Sequence, residues 1–89
     1  KEWLLDIKNQ VIAILDEVLG LNGRSAVFTL DTPLLGAIPE LDSMAIVALL
    51  TMLEERFGFA VEDDELDGTI FASVGSLVGF VGGKLGILG

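Results

Sequence analysis

The sequence predicts an all-α fold, a four-helix bundle with a long loop between the first and second helices and a short third helix. Three observations lead there. Apolar residues recur at spacings of three and four in separate stretches. Gly and Pro cluster between the first two of these stretches. The chain has no cysteine among its 89 residues, so its core must hold by packing alone, which small scaffolds achieve best with helices. At this length, residues 1–89 are expected to make a single domain with one modest core.

Over residues 3–19, Trp3, Leu4, Ile7, Val11, Ile14, Leu15 and Val18 trace one helical stripe, and Gly20 follows as a C-terminal cap. Leu5 and Ile12 lie off the stripe, so this helix is expected to be covered on more than one side, with Asp6, Lys8, Gln10 and Glu17 left for water. Residues 20–41 show no long period and contain Gly23, Pro33, Gly36 and Pro39, the marks of a loop. Thr32 before Pro33 is expected to cap one short turn. Leu34, Leu35, Ile38 and Leu41 are expected to pin the loop to the helices, as an ordered loop of this length requires.

Asp42 is the expected N-cap of a second helix over 43–57, with Ile46, Val47, Leu50, Leu53 and Phe57 as its inner stripe. Ala45 and Ala48 fall off that stripe and are expected to face outward, and Gly58 ends the helix. Residues 62–67 place five acids among six positions. This is a solvated connection, because it lacks the alternating ligands and central glycine of an EF-hand. Phe71, Val74, Leu77, Val78, Val81 and Leu85 define a last helix that starts near Ser73 or Gly75, after a short turn over 69–72, and frays beyond Leu85. Its Gly75, Gly79, Gly82 and Gly83 each cost up to ~1 kcal/mol relative to Ala, so the helix depends on packing its apolar face.

Charge and composition narrow the function. Fourteen Asp and Glu against five Lys and Arg give a formal charge of -9, which repels nucleic-acid phosphates and anionic lipid and would attract a partner with a basic face. With no His, Cys or Tyr, the usual general bases and activated nucleophiles are missing, so the chain is not expected to be an enzyme. No apolar run reaches the ~18 residues of a membrane span, and the start lacks a secretory pattern. The chain is therefore read as cytoplasmic and monomeric, without membrane insertion, and with Lys1 as a trimmed terminus.

The informative stretch is Leu41-Asp42-Ser43-Met44, followed by a helix ending Leu53-Glu54-Glu55-Arg56-Phe57-Gly58. An Asp-Ser pair before a helix is ordinarily a cap and nothing more. Here it is joined by an apolar first helix, a long loop containing Asp31-Thr32-Pro33-Leu34, and the spaced Phe71, Val74 and Leu77. In that order, over nearly the whole chain, these features resemble the acyl carrier proteins. The resemblance implies a 4'-phosphopantetheine arm attached covalently to Ser43, brought from coenzyme A by a phosphopantetheinyl transferase whose magnesium ion Asp42 helps to hold. It also implies that Met44 contacts partner enzymes, among them acyl-activating, ketosynthase or acyltransferase enzymes of fatty-acid or polyketide biosynthesis. An acyl chain would enter near Leu35, Ile38, Ile46 and Val47, residues that read equally well as ordinary core. No resident metal is implied.

The sequence departs from two branches of that family. Fatty-acid carriers commonly place acids just after the serine and one turn later, where this chain has Ala45, Ile46 and Ala48. Peptidyl carriers usually approach the serine through a Gly-Gly-His-Ser type motif, and Pro39-Glu40-Leu41-Asp42 does not match it. The resemblance therefore implies a carrier for a specialised bacterial pathway. The alternative from a different class is a small helical interaction module that binds a partner helix in an apolar groove and uses Ser43 only as a cap.

Overall fold

The structure, a computed structural model, describes residues 2–86. Lys1 lies outside them, as does the fraying expected beyond Leu85 except at Gly86. Three α-helices, α1 (Glu2–Leu19), α2 (Ser43–Phe57) and α3 (Val74–Lys84), are joined by long connections carrying 3-10 turns at Arg24–Val27, Asp63–Glu65 and Gly68–Phe71. α1 packs against both α2 and α3, which explains its apolar content. Ile7, Val11, Ile14 and Leu15 are buried, and Gly20 ends the helix in the left-handed conformation, φ 63°. Covering is less complete than expected, because Leu5 remains 54% exposed.

Where a short third helix is expected, the chain makes the 3-10 turn Gly68–Phe71, so the described residues hold three α-helices, not four. The cause is local. Asp67 Oδ1 accepts from the Thr69 N–H at 2.9 Å, i→i+3 bonds run from Ile70 to Asp67 and from Ala72 to Thr69, and Ser73 then starts α3. Four residues closed at both ends have no length for an α-helical nucleus.

On α2 the inner stripe is Ile46, Leu49, Leu50, Leu53 and Phe57, with Leu49 where Val47 was expected. Val47 is 63% exposed, and Ala45 turns partly inward against the core while Ala48 faces out. The i, i+3, i+4, i+7 spacing accounts for the correction, since 46, 49, 50 and 53 share a face that 47 leaves.

The loop over 20–41 is tied down at both ends and in the middle. Asp16 Oδ2 accepts from the Gly23 N–H at 3.0 Å and the Ser25 hydroxyl at 2.6 Å, and Arg24 pairs with Glu40 at 2.6 Å. In the middle, a bridge between Pro33 and Ser73 is flanked by four backbone bonds: Leu34 to Ala72, Leu35 to Phe71, Val74 to Thr32 and Gly75 to Leu30, at 2.8–3.0 Å. Leu34 and Leu41 are buried beneath it. Thr32 caps no turn at Pro33. Its hydroxyl instead accepts from the Thr29 N–H at 2.8 Å.

Candidate functional site

The site begins at the first turn of α2. Asp42 has extended backbone, and its Oδ1 accepts from the Ala45 N–H at 2.8 Å, while the Ile46 N–H reaches the Asp42 carbonyl at 2.9 Å. This leaves the N–H groups of Ser43 and Met44, which lie too early in the helix for an intrahelical acceptor, with no protein acceptor among the described residues. Ser43 is exposed, and its hydroxyl makes no hydrogen bond among those residues. The other serines are engaged: Ser25 donates to Asp16, Ser73 Oγ accepts from the Ser76 N–H, and Ser76 donates to the Ile70 and Ser73 carbonyls at 2.8 Å.

On the helical side of Ser43 the surface is apolar and uncharged, while the exposed Asp42 precedes it. Met44 is 82% exposed, Val47 is one turn further on, and Ala48 is exposed next to it. No acid occurs on α2 before Glu54. Residues Met44, Val47 and Ala48 share a helical face, so this outward patch is continuous with the serine.

A cleft of about 220 Å³, open to solvent, lies between α2 and the 66–71 segment, lined by Leu35, Ile46, Leu66, Asp67, Gly68 and Phe71. Of the expected acyl-contacting residues, the structure brings Leu35 and Ile46 to this cleft. Ile38 packs on the core and does not line the cleft, and Val47 faces solvent. Sequence reasoning missed the far wall, Leu66, Gly68 and Phe71. Leu66, a lone apolar residue amid acids and 43% exposed, was the available signal.

That wall is braced by carboxylates. Lys84 Nζ donates to both Glu65 oxygens at 2.9 Å, and Glu65 Oε1 also accepts from the Glu62 N–H at 2.8 Å. The Glu62 N–H, then Lys84, hold the Glu65 carboxyl below its ordinary pKa, and the Thr69 N–H does the same for Asp67. On the loop side, the Ser25 hydroxyl lowers Asp16, and the Arg24 guanidinium lowers Glu40. Among the described residues no three His, Cys, Asp or Glu side chains group so as to hold a metal, and no helix is long and apolar enough to cross a membrane.

Comparison with known proteins agrees with this geometry. A family model described as "Phosphopantetheine attachment site" matches residues 9–81. The solution NMR structure of a holo acyl carrier protein from Nitrosomonas europaea is 48% identical, covers 89% of this chain and 95% of its own, and superposes with a TM-score of 0.83. No curated protein sequence matches.

Proposed function

The chain belongs to the phosphopantetheine attachment site family, that of the acyl carrier proteins, and from that premise we propose that Ser43 bears the arm in a carrier serving a dedicated acylation or secondary biosynthetic pathway. The prosthetic group is a covalently attached 4'-phosphopantetheine. When bound, it supplies a terminal thiol on which acyl groups are carried as thioesters, a thiol that the cysteine-free chain lacks.

The observation that carries Ser43 is that, among the serines of the described residues, its hydroxyl alone is both exposed and unengaged, while Ser25, Ser73 and Ser76 are committed to internal hydrogen bonds. The residues around it suit the group. Two unclaimed N–H groups and the positive end of the α2 dipole favour a phosphodiester at this position. Asp42 spends one oxygen on the Ala45 N–H, and its second oxygen is the one offered to a transferase's magnesium ion. Leu35 and Ile46 are the residues of the original set that contact an acyl chain in the cleft, joined by Leu66 and Phe71. Each methylene buried there is worth ~0.8 kcal/mol. The cleft, about 220 Å³ and lined mostly by apolar side chains, suits a short to medium-length saturated acyl chain.

The pathway reading rests on the uncharged patch of Met44, Val47 and Ala48. Carriers of this family meet phosphopantetheinyl transferases and biosynthetic enzymes, and rim charges mainly set how fast such partners associate and how steeply salt slows them. A patch without acids gives little steering, so housekeeping ketosynthases are expected to use this carrier slowly and with a shallow salt dependence. Ala48→Glu, at an exposed position, should raise transfer at low ionic strength and lose that gain at high salt. Ala45 is unsuitable for the same change because it is partly buried. A parent that already matches a housekeeping carrier, with the same salt slope, contradicts the dedicated pathway. Peptide mapping of the arm-bearing protein should place the added mass on the peptide containing Ser43, and its appearance on Ser25, Ser73 or Ser76 contradicts the assignment.

A further inference from the structure

Gly68 stands in the wall of the cleft opposite Leu35. A Cβ built there would lie 3.8 Å from Leu35 Cδ2, an ordinary contact, with no other heavy atom within 4 Å, and the Gly68 backbone lies outside the left-handed region. Neither backbone conformation nor crowding therefore requires glycine at this position. What its missing side chain does is leave the gap between Leu35 and the 66–71 segment open, in a cleft of only about 220 Å³.

The wall has little freedom to retreat if that gap is filled. On one side of Gly68, Asp67 is locked to Thr69 and Ile70 by its side chain and carbonyl at 2.9 and 3.0 Å. On the other, Glu65 is held by Lys84 and Glu62. Across the cleft, the Leu35 N–H is fastened to the Phe71 carbonyl at 2.9 Å. A Cβ at position 68 would face Leu35 across the cleft, so a side chain there starts from the wall toward the space of the occupant. We infer that Gly68 is the residue that sets the length of acyl chain this carrier shelters, with the Glu65–Lys84 pair as the brace that makes the setting rigid. This inference rests on the reading of the cleft as the acyl site.

The test uses arm-bearing protein loaded with acetyl, butyryl, hexanoyl, octanoyl or decanoyl thioesters and followed by thermal melting. In the parent, the midpoint should climb with chain length and then level off. Because close-packed interiors exchange volume nearly carbon for carbon, Gly68→Leu should level off about four carbons earlier. Its unloaded midpoint should lie near the parent's. Leu35→Ala, a truncation of a half-exposed side chain on the opposite wall, should level off later and serves if the leucine variant folds poorly. Identical plateaus in the parent and both variants overturn the role of Gly68 while the parent's rise upholds the cleft as the acyl site. A parent whose midpoint ignores chain length overturns the cleft reading and the Gly68 inference with it.

Discussion

The first turns of α2 and α3 occupy equivalent positions and have opposite fates. At α3, Val74, the first helical residue, is buried and its N–H goes to the Thr32 carbonyl. Gly75, the second, gives its N–H to the Leu30 carbonyl, and Ser76, the third, closes a capping box with Ser73. Every free donor there is claimed by the loop or the cap. At α2 the corresponding residues are Ser43, exposed with a free hydroxyl, Met44, 82% exposed, and Ala45, whose N–H is taken by Asp42. An acid in the cap position does the capping that a serine does at α3, and this releases the serine one residue later. The difference teaches that an Asp-Ser pair is informative because the two capping duties are separated, leaving an exposed, unbonded hydroxyl and two open N–H groups.

The sharpest way to break this comparison is at the second helical position. A Cβ on Gly75 would sit 2.8 Å from the Leu30 carbonyl oxygen, and that atom is backbone with little room to yield. Gly75→Ala should therefore cost about 1–3 kcal/mol by overpacking, outweighing the ~1 kcal/mol that alanine adds to a helix. Met44→Ala should stay within ~0.5 kcal/mol. Thermal or urea melting compares them, and a Gly75→Ala protein more stable than the parent would show that the loop gives way.

At the serines the expected effects are smaller and again opposed. Ser73→Ala removes a cap and should cost ~1 kcal/mol, whereas Ser43→Ala should melt within ~0.5 kcal/mol of the parent. Equal losses at both would mean that Ser43 is a structural cap after all.

The smallest effect is with pH. The start of α3 is held by neutral groups, while Gly23 and Thr69 give their N–H groups to the Asp16 and Asp67 carboxylates. Both carboxyls are lowered in the folded protein. Their contribution is therefore complete above the ordinary carboxylate pKa of about 4 and is lost as pH falls through the lowered folded value. Amide-exchange protection at Gly23 and Thr69 should fall over that window before protection at Val74 and Gly75. Simultaneous loss at all four would point to global unfolding instead.

How much of this was legible beforehand depended on whether the cause was local. The start and end of α2 were plain because Asp42 and Gly58 act through neighbouring backbone. The position of Val47 was misread because a helix bearing Ile46, Val47, Leu49 and Leu50 in close succession admits two stripes, and only packing against α1 selects the one with Leu49. The far wall of the cleft was invisible for a related reason. Gly68 and Phe71 meet Leu35 and Ile46 across more than twenty residues, through contacts that no local period records. Gly75 reads in sequence as a helix weakness, and its purpose appears only where Leu30 crosses it.

The assignment of Ser43 is the centre of the account, and intact mass tests it most directly. The parent and Ser43→Ala are incubated with coenzyme A, magnesium and a broad-specificity phosphopantetheinyl transferase, and their helicity is checked alongside. The parent should gain the mass of a single phosphopantetheine arm and the variant none, with helical content unchanged. Full modification of the alanine variant, or an unmodified parent after trial with several competent transferases, would contradict the assignment.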